Sequence, residues 1–250
     1  MLASGAFPEY DDPRALMTEA SSETFFDSWH VYKKVVSANL MYHREIGAAL
    51  NAVLRARFAQ TAISVLDLGC GDAATLPPVL AGLRVASYVG VDLSLTALTL
   101  AAENLKFLPA APRLANGDFL AALAEEGAYD VIYSSYALHH LDTPQKAEFF
   151  RRVATRLKPG GLLLLVDVAR EEDETLPVYH AHYTEWLRST WPQLEPFERE
   201  AVCDHIVACD MPEPASVLIA QAETAGLSLF GAGARHLWHR LLCFAPRGEA

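Results

Sequence analysis

Residues 62–71 limit the possible folds of this 250-residue chain more than any other segment does. The apolar run Ala62–Leu68 leads directly into Gly69-Cys70-Gly71. An apolar run of this length that is bounded by glycine predicts a buried strand. Glycines let the backbone turn tightly and approach a ligand closely. The segment therefore predicts a strand, a tight turn and a helix, which is the first unit of a parallel α/β sheet.

Short apolar runs continue to alternate with helical patterns after residue 71. This alternation is typical of βαβ units, whose strands are parallel and buried on both faces. The predicted second to fifth strands lie at 88–92, 113–115, 130–134 and 162–167. Near the end of the chain, 227–230 and 238–244 predict a closing antiparallel pair.

The sequence divides into two predicted parts, a tail with a helical lid over residues 1–58 and an α/β domain over residues 59–250. Apolar residues recur at three- and four-residue steps before residue 58, which predicts two helices, or one helix broken near Met41. Residues 170–213 contain eleven acids, three bases and several aromatic residues. We interpret this segment as a mostly helical insertion after the fifth strand.

Two acids accompany the glycine turn. Asp67 lies just before it, and Asp92 ends the predicted second strand about 20 residues later. Nicotinamide-dependent dehydrogenases share this arrangement. However, Ala74 stands where their fingerprint has a third glycine, and the charge of Asp67 would repel a pyrophosphate but attract a cationic ligand. An oxidoreductase and a binding protein without turnover stay as alternatives.

Five segments, at 67–71, 89–92, 116–119, 129–141 and 157–161, recur in the order of a known family. Through them the chain resembles the class I S-adenosylmethionine-dependent methyltransferases of small-molecule type. The resemblance implies an α/β fold with a doubly wound, mostly parallel seven-stranded sheet whose last strand is antiparallel. It also implies S-adenosylmethionine as the cofactor, bound at the carboxyl ends of the strands.

The resemblance assigns the glycine turn and the acid after it to the cofactor. Asp67, Gly69, Cys70 and Gly71 match the family's first motif, whose glycine loop lies against the methionine part of the cofactor. Asp92 matches the acid that accepts hydrogen bonds from both ribose hydroxyls. A carboxylate has enough acceptor sites for both bonds.

Five further residues are expected near the cofactor. Asp118 would meet the adenine amino group, with Phe119 near the ring, and Leu93 is a further cofactor-binding candidate. Asp118 could instead only stabilise a turn, and Phe119 could be a core residue. Ser134 lies in the fourth strand, where its backbone could guide the methyl group. Tyr42, in the lid, could hold the cofactor carboxylate.

Three residues that follow the fourth strand are candidates for catalysis. His139 or His140 could act as a general base, because an acceptor hydroxyl or protonated amine must lose a proton as it attacks the methyl group. Either histidine could instead shape the pocket or cap the sheet. Tyr136 could orient a substrate.

The charge balance restricts the partners. The chain has 20 Lys+Arg and 31 Asp+Glu residues, a formal net charge of −11, which argues against a nucleic-acid partner. The most uniformly apolar stretch, 162–166, is far shorter than the roughly 20 residues that cross a bilayer. Without a signal-peptide pattern near Met1, we expect a cytoplasmic protein with no membrane partner.

The predicted methyl acceptor is a small molecule. The acids of 170–213 favour a cationic or amino-acid-derived acceptor, methylated at nitrogen before oxygen. No metal is predicted: the four cysteines form no CxxC pair, and His180-Ala181-His182 has no third ligand at helical spacing. The catechol-type branch of the family binds magnesium through acids after the fourth strand, where this chain has Ser134 and Ser135.

Overall fold

The computed structural model describes residues 22–231 and 233–248, with side chains from residue 30 onward. These residues form one eight-stranded sheet that carries helices on both faces. Residues 1–21 of the predicted tail lie outside the described residues. The strands are β1 (Ala62–Leu68), β2 (Arg84–Asp92), β3 (Arg113–Asn116), β4 (Tyr129–Ser135), β5 (Leu157–Val168), β6 (Leu227–Leu229), β7 (Ala234–His236) and β8 (His239–Pro246).

The strand order β3-β2-β1-β4-β5-β8-β6 confirms the predicted doubly wound fold. Strands β1 to β5 pair in parallel, and β8 runs antiparallel to β5. The predicted seven strands become eight because the short β7 also pairs with β8. The order reverses at β1, which pairs with both β2 and β4. Ligands of doubly wound sheets bind beyond the carboxyl ends of the strands at such a reversal.

Helices cover both faces of this sheet. They are α1 (Ser22–Ser37), α2 (His43–Phe58), α3 (Leu76–Leu80), α4 (Leu95–Asn104), α5 (Phe119–Ala122), α6 (Thr143–Arg156), α7 (Leu176–Thr190), α8 (Pro196–Cys209) and α9 (Ala215–Thr224), with a short 3-10 helix at Leu138–His140. Helices α2, α3 and α4 pack on one face, and α5, α6 and α9 pack on the other. None of the described helices is long and apolar enough to span a membrane.

The run 162–166 in β5 shows why the central strands are apolar throughout. Leu162, Leu164 and Val166 pack in the cluster that contains α2 and α3. Leu163 and Leu165 pack in the cluster that contains α6 and α9. Side chains alternate between the two faces of a strand, so a strand with helices on both sides needs apolar residues at every position.

Two strands begin earlier than the sequence pattern predicts. β5 begins at Leu157 rather than at residue 162, because Leu157 already pairs with Tyr129 despite the Pro-Gly-Gly stretch that indicates a turn. β2 begins at Arg84 rather than at residue 88, because 84–87 pairs with the start of β1. Pairing with a neighbour extended both strands into polar sequence.

The helices before and after the sheet core share a third hydrophobic cluster. The chain breaks between α1 and α2, as predicted, with Asn39 and Tyr42 both at φ 59°. The predicted insertion consists mainly of α7 and α8, whose buried side chains pack with Val35 of α1. Lys34 Nζ of α1 lies 2.6 Å from Glu198 Oε1 of α8. Thus α1 packs with the insertion and α2 with the sheet; the lid role of 1–58 stays a prediction.

Candidate active site

A pocket with about 350 Å³ of empty space opens at the carboxyl end of β1. This space includes solvent at the mouth of the pocket. Tyr133 and Ser135 of β4 line the pocket opposite the glycine turn. The lining brings together four residues that the sequence predicts at the cofactor: Asp67, Gly69, Cys70 and Gly71.

The glycine turn is held against the end of β2. The backbone N–H groups of Gly69 and Cys70 donate to the carbonyl oxygen of Val91 at 2.9 and 3.1 Å. Gly69 has φ +73°, and a Cβ there would lie 2.6 Å from Cβ of Ala137. Both the positive φ and the close approach require glycine at this position.

Asp92 connects this turn to the next helix. Its Oδ2 accepts a hydrogen bond from the Gly71 N–H at 2.8 Å, and its Oδ1 accepts one from the Ser94 N–H at 2.8 Å. Ser94 in turn caps α4 through the Ala97 N–H. Each carboxylate oxygen has a second lone pair that remains available to a ligand hydroxyl.

Asp67 lies at the bottom of the pocket and is 2% exposed. The hydroxyl of Tyr88 donates to its Oδ2 at 2.7 Å. Its Oδ1 is buried and has no hydrogen-bond partner among the described residues. Burial raises the pKa of Asp67 to about 7, although the bond from Tyr88 opposes this rise. A cationic ligand group in the pocket would therefore favour the ionised carboxylate.

Comparison with known proteins identifies the family of this site. Residues 66–163 match the family model described as a methyltransferase domain. Over 144 residues the chain is 29% identical to an uncharacterized methyltransferase of Bacillus mycoides, covering 57% of this chain and 65% of that protein. Both matches support the predicted resemblance to the class I S-adenosylmethionine-dependent methyltransferases. The predicted family and its cofactor are confirmed.

Two further proteins that the chain resembles have names that specify different methyl-accepting atoms, nitrogen in one and oxygen in the other. The chain is 31% identical to phosphoethanolamine N-methyltransferase 3 of Arabidopsis thaliana over 113 residues, 45% of this chain and 22% of that protein. A solved O-methyltransferase family protein from Burkholderia thailandensis has a TM-score of 0.62 at 19% identity, covering 84% of this chain and 57% of that chain. The second similarity shows the shared fold. The matched segments span about two thirds or less of these proteins.

The residues predicted near the adenine lie at the edge of the methyltransferase sheet. Asp118 is exposed, and its Oδ1 caps α5 by accepting the Ala121 N–H at 2.8 Å. Phe119 packs edge-on against Phe149, with ring centroids 6.0 Å apart. Leu93 is 73% exposed directly after Asp92. Asp118 and Phe119 thus have the structural roles that the sequence left open, and their contact with adenine stays a prediction.

The two serines at the end of β4 have different surroundings. Ser134 is fully buried, and its hydroxyl donates to the Leu68 carbonyl at 3.1 Å. Ser135 lines the pocket, as does Tyr133 two residues earlier. Side chains alternate between the two faces of a strand, so Ser135 points to the same face as Tyr133 and Ser134 points to the opposite face. This alternation along β4 indicates Ser135 rather than Ser134 as the side chain at the pocket.

The two predicted tyrosines join the lid to the sheet. The hydroxyl of Tyr136 donates to the Met41 carbonyl at 2.7 Å and lies 3.0 Å from Nδ1 of His239. The ring of Tyr42 stacks on His236 with centroids 4.9 Å apart. Burial raises the pKa of Tyr136 well above its usual value. Tyr136 therefore stays protonated and binds the loop between α1 and α2.

The two predicted histidines lie in the 3-10 helix after β4 and face the insertion. Nδ1 of His139 lies 2.5 Å from Oδ1 of Asp167, and its Nε2 lies 3.5 Å from Oδ1 of Asp210. Burial alone would lower the pKa of His139, but the two acids outweigh it and raise the pKa to about 9. Burial lowers the pKa of His140 to about 3. Neither histidine lines the pocket at the end of β1.

A second, narrower cavity adjoins this pocket, with about 240 Å³ of empty space that includes solvent at its mouth, and the two share Thr75, Tyr133 and Ser135. His43, the first residue of α2, lines this second cavity. Its Nδ1 is buried without a hydrogen-bond partner among the described residues, and burial lowers its pKa to about 4. The sequence pattern pointed to its neighbour Tyr42 and not to His43, because residue spacing alone does not show which side chain faces the sheet.

Replacing Gly69 by Ala tests the close approach at the glycine turn. Gly226 provides the control, because it also has a positive φ, +88°, but a Cβ added there would have no atom within 4 Å. We expect Gly226→Ala to lose about 1–2 kcal/mol from the left-handed backbone alone. Gly69→Ala should lose about 1–3 kcal/mol more from overpacking, and it should weaken binding of S-adenosylhomocysteine.

Urea unfolding measures both free energies, and isothermal titration measures the affinity. Equal losses of stability in the two variants, with unchanged affinity, would contradict the contact between this turn and Ala137.

Proposed function

We propose that this methyltransferase moves the methyl group of S-adenosylmethionine to a hydroxyl oxygen or weakly basic nitrogen of a small molecule. The observation that carries the proposal is the pair of adjoining cavities with a shared wall at Thr75, Tyr133 and Ser135. A cofactor in the first would present its methyl group at this wall, and an acceptor in the second would approach it. Holding both reactants in line supplies much of the acceleration in such a displacement.

The apolar lining of the second cavity is suited to a reaction in which the positive charge of the sulfonium is lost. The sulfonium loses its positive charge as the methyl group leaves, so a dry environment favours the products. Apolar side chains supply this environment: Ile46, Leu50, Val79 and Val166. They also favour an acceptor with an apolar body, such as a ring.

The methyl acceptor must lose a proton during the transfer, and we propose that His43 accepts this proton. A nitrogen without a hydrogen-bond partner in a cavity wall can accept a bond from an acceptor O–H or N–H. With a pKa of about 4, His43 is neutral at pH 7 and able to accept. It is a weak base, which suits an oxygen or a weakly basic nitrogen, because these become strongly acidic as the methyl bond forms.

The charges of the insertion support an uncharged acceptor rather than the cationic one that its composition favours. Of the eleven acids in residues 170–213, four lie in ion pairs with a lysine or an arginine. These are Glu171, Glu198, Glu200 and Glu213. The charges of these four are balanced by neighbouring cations, which leaves the insertion less acidic than its composition indicates.

The three residues first considered for catalysis receive positioning roles in this proposal. Tyr136 binds the loop before α2 through the Met41 carbonyl and so holds His43 at the cavity. His139 has a carboxylate near each ring nitrogen, and with His140 it braces the turn that follows β4. The proton acceptor is then a residue of the lid rather than of this turn.

Binding and product formation test the function directly. We expect S-adenosylhomocysteine, but not NADH, to bind in isothermal titrations of the full chain. With S-adenosylmethionine, a panel of phenols, aromatic amines and aliphatic amines should yield methylated products from the first two groups by mass spectrometry. Binding of NADH alone would reject the function, and turnover of aliphatic amines alone would reject the proposed acceptor class.

Replacing Asp92 by Ala tests the ribose contact. The change removes a carboxylate that holds the glycine turn and would accept two hydroxyls, so we expect a loss of about 2 kcal/mol in binding S-adenosylhomocysteine, or about 30-fold in Kd. Glu103→Ala removes an exposed acid with the same charge from α4 and serves as the control. Affinity that falls equally in both variants would indicate a long-range charge effect and reject the contact.

Replacing His43 by Ala tests the proton acceptor. We expect a fall in kcat of about 100-fold or more with unchanged affinity for S-adenosylhomocysteine, because the residue acts on the acceptor. His30→Ala, at an exposed position of α1, should leave the rate unchanged. In the wild type, His43 should stay neutral down to about pH 5, so its protonation should not lower the rate above that pH. A rate unaffected by His43→Ala would reject the assignment.

A further inference from the structure

Three metal-ligating side chains converge where the insertion meets the turn after β4. They are His139, His140 and Asp210, and one ligand atom of each lies within 4.8 Å of the other two. Oδ1 of Asp210 lies 3.5 Å from Nε2 of His139 and 3.5 Å from Nδ1 of His140. These separations exceed a normal N–H···O bond. They are close to the roughly 3.3 Å between ligands of a tetrahedral zinc ion with bonds of about 2.0–2.1 Å.

The ring of His139 is oriented as in many metal sites. Its Nδ1 faces Oδ1 of Asp167, while its backbone N–H donates to Oδ2 of the same carboxylate at 2.9 Å. Metal-binding histidines typically use one ring nitrogen for the metal and the other for a carboxylate, which holds the ring in place. In this methyltransferase the arrangement directs Nε2 of His139 toward Asp210.

Asp210 supplies an oxygen that lacks a hydrogen bond. Its Oδ1 is buried and has no hydrogen-bond donor among the described residues. Buried carboxylate oxygens are normally satisfied, because leaving one without a partner costs free energy. The backbone of Asp210 is held by His180, whose Nε2 lies 2.9 Å from its carbonyl oxygen. The carboxylate is therefore fixed in a place where a cation would satisfy it.

We propose that His139, His140 and Asp210 bind a divalent transition-metal ion, Zn²⁺ in particular. Two imidazoles and one carboxylate are a ligand set that zinc accepts, and the fourth position is left to a water molecule. Binding of the ion would displace the Nε2 proton of His139 to solvent, because histidine binds a metal in its neutral form. The His140 side chain is 42% exposed, which provides access for the ion. The site lies apart from the residues that line the two cavities. Its ion joins the end of α8 to the turn after β4, and this role is structural.

Sequence patterns do not indicate this site because its ligands are far apart in the chain. His139 and His140 follow β4, whereas Asp210 follows α8. The His180-Ala181-His182 pair of the insertion is engaged elsewhere. His180 contacts the Asp210 carbonyl, and His182 contacts Glu174 at 2.8 Å.

The test uses the full chain, dialysed against a chelator and titrated with ZnCl₂ by calorimetry. We expect one Zn²⁺ per chain, and a Zn²⁺-dependent rise in Tm. Asp210→Asn and His140→Ala should each weaken Zn²⁺ binding on the order of 100-fold, and Asp167→Asn about tenfold. Asp204→Asn changes an exposed acid of α8, the helix that precedes Asp210, and should keep the wild-type affinity.

A second metal separates coordination from simple charge attraction. Co²⁺ bound at the site should give the visible absorption of a four-coordinate ion, and this absorption should be lost in Asp210→Asn. Circular dichroism confirms that each variant is folded, and the half-exposed His140 supplies a variant less prone to misfolding. Absence of binding by the wild type, or equal Zn²⁺ affinity in the wild type, Asp210→Asn and His140→Ala, would overturn the proposal.

Discussion

The two hydrogen bonds that the Asp92 carboxylate accepts are the interaction on which the pocket at the end of β1 depends. The carboxylate accepts one backbone N–H from the glycine turn and another from the start of α4, and so it joins the first two βα units at one point. The bonds from Gly69 and Cys70 to the Val91 carbonyl close the same turn against β2. A hydrogen bond to a charged acceptor is stronger than one between neutral groups. The shape of the pocket therefore follows from the place where β2 ends.

The strands and the glycine turn were largely predictable. Burial on both faces of the sheet requires apolar side chains throughout a strand, and the tight turn requires glycine. β1 begins and ends as the apolar run indicates. The early start of β5 was not predictable, because it depends on pairing between Leu157 and Tyr129. Sequence patterns report burial well, whereas pairing with a neighbour overrides local turn signals.

The side chains around the second cavity were harder to predict for a related reason. A motif selects a segment, but the backbone decides which side chain of that segment reaches the ligand. Ser135 rather than Ser134 lines the pocket, because their side chains point to opposite faces of β4. His43 rather than Tyr42 lines the second cavity, since Tyr42 takes a left-handed conformation and stacks on His236. The paired carboxylates around His139 come from segments that the sequence keeps far apart.

The separation of the hydrophobic clusters has a consequence for how such a protein can diversify. The cluster of α1, α7 and α8 has its own buried residues, distinct from the two clusters that hold the sheet. Changes at independent sites add in their effect on stability, whereas changes at shared contacts do not. The outer helices can therefore exchange residues without weakening the sheet. Tyr136 packs against both the outer cluster and one sheet cluster, and Val168 of β5 belongs to the outer cluster, so changes at these two positions affect the sheet as well.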